Sequence, residues 1–320
     1  MECGKNKMAK TPEIIKRIKN FKPIEINYAF QKSISYSQLS MYSSCPKKWA
    51  LQYRDGHKTL APSINMTFGT AIHETVQKYI HTMYEESGAQ ADKMDLEELF
   101  EERFREAYSK EYENNKNIHF SSPEEMREFF DDGIAILEFV KKKRKEYFSS
   151  RGWHLVGIEL PIVISPDKRY NNVLFNGFID LVMYNENTDS FTIYDIKTST
   201  RGWGDKEKRD EIKQFQILLY KFYFSEMFGV PQENIDVKFF ILKRKIWEES
   251  EFPQKRIQEF VPANGKTKIN KAKNALNTFI ENVFNIDGSF KNTEHQPNPS
   301  KSNCMYCPFK NKKDLCEVAF

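Results

Sequence analysis

Two aspartates and a lysine near the ends of adjacent β-rich segments carry the clearest chemical signal in this 320-residue sequence. Asp180 lies late in VLFNGFIDLVMY, and Asp195 and Lys197 follow in SFTIYDIKT. Residues i and i+2 of a strand share a face, and a hairpin of this length would bring Asp180 beside Asp195. Paired carboxylates repel unless a cation lies between them, and Mg²⁺ or Mn²⁺ prefers such oxygen ligands. With a lysine to orient or help deprotonate water, the three residues predict phosphodiester hydrolysis.

Four further polar residues in the neighbouring segments could belong to the same site. Glu159 precedes the hairpin in GIELPIVI, and His73 lies in the helical segment GTAIHE. Gln216 and Tyr220 are four residues apart on the following helix and therefore share one of its faces. A lone Asp-x-Lys is common in surface hairpins, so the prediction of a site depends on these four additional polar residues.

An α/β arrangement must position these residues. Ser35-x-x-Gln38 is typical of a helix start, and Pro46 favours a second start. From Trp153 onward, β-branched and aromatic segments separated by turn residues predict three largely antiparallel strands. The remaining predicted elements are helices over 68–84, 92–115, 123–148, 207–228 and 267–284, and a fourth strand over Asp236–Lys243.

Five short motifs in a fixed order make the sequence similar to a known family. Their order resembles that in PD-(D/E)XK nucleases of the RecB-like branch, which includes the nuclease domains of RecB and AddB and the exonucleases of CRISPR adaptation. The motifs are Gly69-x-x-x-His73, Glu159, Gly177-x-x-Asp180, Asp195-x-Lys197 and Gln216-x-x-x-Tyr220. The resemblance covers residues 34–320 and implies a restriction-endonuclease-like core, with a mixed central sheet flanked by helices.

The resemblance also implies a metal site. His73, Asp180 and Asp195 would ligate Mg²⁺ or Mn²⁺, and the backbone carbonyl of Ile196 would be a further ligand. The family often has Glu at the position of Asp195, and both residues are accepted there.

The remaining catalytic roles follow from the same resemblance. Lys197 would act on the attacking water, and Gln216 and Tyr220 would position this lysine or the DNA backbone. Glu159 would be a supporting acid.

The cysteines form a second constellation. The first twenty residues contain no apolar segment, so we predict no secretory signal, and an odd count of five argues against a disulfide framework. Cys304, Cys307 and Cys316 cluster near the C-terminus, and Cys45 is the candidate fourth ligand, with Cys3 left over. Four thiolates suit either a [4Fe–4S] cluster or structural Zn²⁺, and their chemistry does not separate the two.

The resemblance favours an iron–sulfur cluster of the AddB type, which would link the N-terminal part of the domain to the C-terminal segment. The resemblance also implies a domain organisation. Residues 290–320 would bind the cluster and close onto Cys45. Residues 1–33 would be an N-terminal extension and 34–320 the nuclease domain, in which 85–150 form a helical insertion.

The net charge of +4 conceals an uneven distribution. Residues 1–60 carry +8, residues 85–138 carry −11 and residues 196–275 carry +6. We interpret the basic segments as a surface for phosphate and the acidic block as another face, although such runs are often only solvated helix faces. The predicted DNA-binding residues, with two tryptophans for base stacking, are Lys47, Lys48, Arg54, Lys213, Lys243, Arg244, Trp203 and Trp247.

The sequence therefore predicts a metal-dependent deoxyribonuclease, in particular an exonuclease that prefers single-stranded DNA or free ends. Two alternatives stay open: a structure-specific or flap endonuclease of the same fold, and a non-catalytic DNA-binding adaptor with a zinc or iron–sulfur module. We expect partners in recombination, repair, phage replication or CRISPR adaptation. No stretch approaches 18 apolar residues, so we expect no membrane association. We also expect a cytoplasmic location in a bacterium or phage-infected cell.

Overall fold

The computed structural model describes residues 12–57, 62–149, 151–247 and 249–318, and Cys3 lies outside them. Ser35 caps its helix as predicted, because its side chain accepts a hydrogen bond from the Gln38 amide. The first seven helices are α1 Glu13–Lys19, α2 Tyr36–Ser44, α3 Pro46–Trp49, α4 Ile64–Glu85, α5 Gly88–Lys93, α6 Leu96–Asn114 and α7 Pro123–Tyr147. The later helices are α8 Asp205–Arg209, α9 Glu211–Phe228, α10 Lys266–Val283 and α11 Lys301–Cys304.

A mixed six-stranded sheet forms the centre of the molecule. Strand β3 pairs antiparallel with β2 and β4, and it pairs parallel with β1. Strand β5 runs parallel to β4 and antiparallel to β6. The strands are β1 Lys32–Ile34, β2 Trp153–Ile164, β3 Val173–Asn185, β4 Ser190–Ser199, β5 Ile235–Lys243 and β6 Ile257–Phe260. This is the predicted mixed α/β sheet flanked by helices.

Two hydrophobic clusters cover the two faces of the sheet. Helices α1, α2, α9 and α10 contribute to one cluster, together with sheet residues such as Ile193 and Val237. Helices α4, α6 and α7 contribute to the other, around Phe68, Phe100 and Ile196. The predicted helical insertion therefore shares a core with strands β3 and β4. Among the described residues, no helix is both long and apolar enough to span a membrane.

The structure differs from the sequence prediction in three places. The predicted helix over 207–228 is two helices, because the Asp210 carboxylate accepts hydrogen bonds from two backbone amides and starts α9 anew. Strand β6 lies where we predicted no regular structure, and its four residues are too few to show a period. Helix α1 buries Ile15 and Ile18 in the core, and strand β1 crosses the predicted domain limit at residue 33.

Candidate active site

The predicted carboxylates meet where two strands stop pairing. Strands β3 and β4 pair up to Leu181 and Tyr194, and Asp180 and Asp195 follow directly beyond this last pair. There the backbone amide of Ile196 donates to Asp180 Oδ2 at 2.6 Å, so a side chain replaces the next ladder bond. The divergence of the strands creates the space in which polar groups can face a ligand.

Lys197 projects from the same strand end and is held on two sides. Its Nζ lies 2.9 Å from Asp195 Oδ2 and donates to Gln216 Oε1 at 2.9 Å. Among the described residues, Asp195 Oδ2 is buried and makes no hydrogen bond of good geometry, although the lysine is near. A buried carboxylate oxygen in this state is a ready cation ligand.

Gln216 and Tyr220 lie side by side on α9, as their spacing predicts. Gln216 Nε2 donates to the Tyr220 hydroxyl at 3.4 Å, and Gln216 Oε1 holds Lys197. The Tyr220 ring packs over Gly177, where a Cβ would lie 2.8 Å from the ring. The glycine of the Gly177-x-x-Asp180 motif is thus the residue that lets α9 approach β3.

His73 and Glu159 complete the site from two other elements. His73 on α4 contacts the Ile196 carbonyl through Nε2, which also lies 3.8 Å from Asp180 Oδ2. One ligand atom from each of His73, Glu159 and Asp180 lies within 4.8 Å of the others. This group could hold a metal ion, and it includes Glu159, which the sequence had suggested only as a supporting acid.

Glu159 has a strained backbone. It lies within β2, between the pairs Ile158–Leu181 and Leu160–Ile179, yet its φ is +49°. The left-handed conformation costs a non-glycine residue about 1–3 kcal/mol, and such strain is concentrated at functional sites. The strain aims this carboxylate at His73 and Asp180.

Burial dominates the electrostatics of the site. It raises the pKa of Asp180 and that of Asp195 to about 6, although Lys197 opposes both shifts. Burial lowers the pKa of His73, which keeps the imidazole neutral and able to bind a metal. Burial alone would lower the pKa of Lys197, but Asp195 and Asp180 raise it, so the ammonium stays charged. Oxygen ligands, a neutral imidazole and an adjacent cationic donor suit a hard divalent cation and a phosphate.

One buried residue at the site was missed from the sequence. Gln77, on α4 and one turn after His73, donates through Nε2 to Glu159 Oε1 at 2.6 Å. Its only sequence signal is the spacing of four residues from His73 on a helix.

The four predicted cluster ligands line one small cavity. Cys45 contributes from the start of α3, and Cys304, Cys307 and Cys316 contribute from the C-terminal segment. The Asn298 amide donates to Cys45 Sγ at 3.5 Å. Among the described residues, these cysteines do not form a group whose ligand atoms all lie within 4.8 Å of one another.

The predicted DNA-binding residues are dispersed. Lys47 and Lys48 line the cysteine cavity, and Lys213 Nζ lies 5.8 Å from the Trp203 ring centre. Trp203 packs against Phe239.

The remaining four differ in their freedom to bind a phosphate or a base. Arg54 is bound to Asp55 and to a backbone carbonyl, and Arg244 is paired with acidic residues of α7. Burial lowers the pKa of Lys243. Trp247 is 68% exposed and is free to stack.

Comparison with known proteins agrees with this geometry. A family model described as the PD-(D/E)XK nuclease superfamily matches residues 33–312. A 2.19 Å crystal structure of a Eubacterium rectale protein described as "Putative exonuclease" aligns with a TM-score of 0.50 at 11% identity. The alignment covers 90% of this chain and 92% of that chain, and at this identity it concerns the fold. Comparison with curated proteins gave no match. Since the family model spans most of the chain, and includes all the residues gathered at the strand ends, the chain belongs to the PD-(D/E)XK nuclease superfamily.

Proposed function

We propose that this protein is a Mg²⁺- or Mn²⁺-dependent deoxyribonuclease that degrades DNA from free single-stranded ends. The observation that carries this proposal is the charged Lys197, held between Asp195 and Gln216 beside the group of His73, Glu159 and Asp180.

The donor set fits a divalent cation. His73, Glu159 and Asp180 offer ligand atoms within 4.8 Å of one another, and the Ile196 carbonyl contacts His73. Asp195, the other ligand that the resemblance implies, lies outside this group and would complete the site from the end of β4. The bound cation would stabilise charge on the phosphate and lower the pKa of a water molecule.

The protein's own groups supply orientation and charge. Lys197 Nζ donates to Asp195 and to Gln216, so it is placed to donate a hydrogen bond to the attacking water or to a phosphate oxygen. Gln216 Oε1 accepts a hydrogen bond from Lys197 Nζ and so fixes the position of the ammonium group. The Tyr220 hydroxyl accepts from Gln216 Nε2 and orients the amide.

The test is cleavage of end-labelled single-stranded DNA with Mg²⁺ or Mn²⁺. We expect Asp180→Asn and Lys197→Met each to reduce the rate by about 100-fold or more. Lys110→Met changes an exposed lysine on α6 and should cleave like the wild type. No cleavage by the wild type with either metal would overturn the proposal.

Exonuclease action is tested on circular single-stranded DNA. An enzyme that needs an end should leave circles intact while it degrades the linear form. Cleavage of circles at a similar rate would show an endonuclease instead. The exposed Trp247 supports a single-strand preference, because stacking on a base contributes about 1–3 kcal/mol.

We further propose that Cys45, Cys304, Cys307 and Cys316 bind a [4Fe–4S] cluster. A zinc ion with bonds of about 2.3 Å would hold four sulfurs about 3.8 Å apart, and among the described residues no three of these sulfurs all lie within 4.8 Å of one another. Their common cavity and the amide that donates to Cys45 support a shared cofactor, and the choice of an iron–sulfur cluster rests on the resemblance to the AddB type. Iron and zinc assays after anaerobic purification decide between the two.

The proposed setting is the cytoplasm of a bacterial or phage-infected cell. Proteins of recombination, replication or CRISPR adaptation would be the partners. Both proposals come from the resemblance to the RecB-like branch.

A further inference from the structure

Gln77 joins three elements at the metal-ligand group. The side chain is buried, with 5% of the residue exposed, and it comes one helical turn after His73 on α4. Its Nε2 donates to Glu159 Oε1 at 2.6 Å and to the Asp180 carbonyl at 3.0 Å. Both N–H groups of the amide are therefore used, one on β2 and one on β3.

Glu159 is held differently from the other two members of the group. His73 contacts the Ile196 carbonyl, and Asp180 accepts from the Ile196 amide, so both are held by β4. Glu159 is exposed, and its backbone is strained at a φ of +49°. Among the described residues, the hydrogen-bond donor to its carboxylate is Gln77. Without this bond, the side chain would be free to turn toward water.

We infer that Gln77 is a positioning residue that holds Glu159 in place for a divalent cation before the cation binds. The inference rests on the proposed function, because it requires that His73, Glu159 and Asp180 form a cation site. Glu159 would then be a ligand of the cation, and its strained backbone would direct the carboxylate toward His73 and Asp180. Residues that orient metal ligands typically change metal affinity by about 10–100-fold when they are replaced.

The experiment measures Mn²⁺ affinity in the absence of DNA, by calorimetry and by electron paramagnetic resonance of free Mn²⁺. Gln77→Met keeps the length and apolar volume of the side chain and removes both donors. We expect it to weaken Mn²⁺ binding about tenfold or more, and cleavage to recover toward the wild-type rate at saturating Mn²⁺. If this variant does not fold, Gln77→Ala takes its place.

A double-mutant cycle separates positioning from a general structural effect. If Gln77 acts through Glu159, Gln77→Met combined with Glu159→Gln should bind Mn²⁺ as weakly as Glu159→Gln alone. The matched control is Thr75→Val, which removes another buried hydrogen bond of α4, the one from Thr75 Oγ1 to the Ala71 carbonyl. This control should lower the melting temperature and leave Mn²⁺ affinity unchanged.

Three results would overturn the inference. They are wild-type Mn²⁺ affinity in Gln77→Met, additive losses in the double variant, and no Mn²⁺ binding by the wild type. Failure of the proposed function would look different, because the wild type would bind Mn²⁺ and leave every DNA substrate intact. In that case the affinities would still decide the role of Gln77.

Discussion

Asp180 and Asp195 are two carboxylates placed side by side where water is nearly excluded. Asp180 is 8% exposed and Asp195 1% exposed, and their mutual repulsion adds to the cost of burial. Lys197 offsets only part of this cost, because the pKa of each carboxyl is still raised to about 6. A divalent cation would offset the rest, so the residues are arranged for a ligand rather than for the stability of the free protein.

This arrangement predicts how stability depends on pH. An aspartate has a pKa of about 4 in the unfolded chain, whereas the pKa values of Asp180 and Asp195 in the folded protein are about 6. Between about pH 4 and pH 6 the folded protein therefore binds more protons than the unfolded chain. The metal-free protein should therefore lose stability as pH rises from about 4 to about 6. Thermal melts in the presence of a chelator measure this change, and Asp195→Asn should make it smaller.

Metal binding should follow the opposite trend. A cation needs both carboxylates ionised, so the rise in melting temperature caused by Mn²⁺ should be small at pH 5 and large at pH 7. Thermal melts at a fixed Mn²⁺ concentration check this. A shift that does not change between these pH values would contradict a site built on Asp180 and Asp195.

Gly177 is a further residue whose replacement should disturb the site. A Cβ at this position would lie 2.8 Å from the Tyr220 ring, so Gly177→Ala must move α9 or β3. We expect the free energy of unfolding to fall by about 1–3 kcal/mol and cleavage to slow, because Gln216 would shift with the helix. Gly88→Ala is the control, since its added Cβ would make only an ordinary contact of 3.5 Å with the Arg144 side chain. Denaturant unfolding and single-strand cleavage are the measurements.

At the scale of elements, helix α7 is joined to the end of strand β5 by ion pairs. Arg244 follows β5 and lies 2.9 Å from Asp132 and 3.2 Å from Glu128 on α7, with its guanidinium 3.8 Å from the Phe129 ring centre. The sequence had suggested Arg244 as a DNA-binding residue. The structure shows that its charge is used to hold α7 beside the strand that neighbours β4.

We predict that Arg244→Met lowers the free energy of unfolding by about 2 kcal/mol. Removing one partner of a buried pair costs about 3–5 kcal/mol, and Lys245, 3.0 Å from Asp132, would compensate in part. Arg105→Met breaks an exposed pair within α6 and should change stability by less than about 1 kcal/mol. If Arg244→Met and Arg105→Met lowered the free energy of unfolding equally, the ion pairs of Arg244 with α7 would not be a special source of stability.

At the scale of the whole molecule, the cysteine cavity joins chain segments that are far apart in sequence. Cys45 stands at the α2–α3 boundary, and the other three cysteines lie after residue 300. A cofactor bound here would close a very long loop, and closing such a loop restricts the unfolded chain.

We therefore predict that Cys45→Ser and Cys307→Ser each abolish bound iron and lower the melting temperature. Cys3→Ser should change neither the iron content nor the melting temperature, because Cys3 is not among the four proposed ligands. Iron assays and thermal melts on anaerobically purified protein are the measurements. Full iron content in Cys45→Ser would exclude this cysteine as a ligand.

The sequence by itself determined the α/β class, the main strands and helices, and the residue types of the site. Periodicity and turn chemistry are local, so the hairpin that carries Asp180, Asp195 and Lys197 could be predicted, as could the shared helix face of Gln216 and Tyr220. The short strand β6 and the break between α8 and α9 at Asp210 were missed. Each involves only a few residues, which are too few to show a clear hydrophobic period.

Only the tertiary structure decided which side chains share the site and which basic residues are free. Glu159 joins His73 and Asp180 because of one left-handed backbone conformation, which no sequence pattern encodes. Gln77 gains its contacts from three elements, and Arg244 pairs with acidic residues of α7. The physical reason is that hydrogen bonds and ion pairs act over about 3 Å, so distances between residues remote in sequence exist only once the chain has folded.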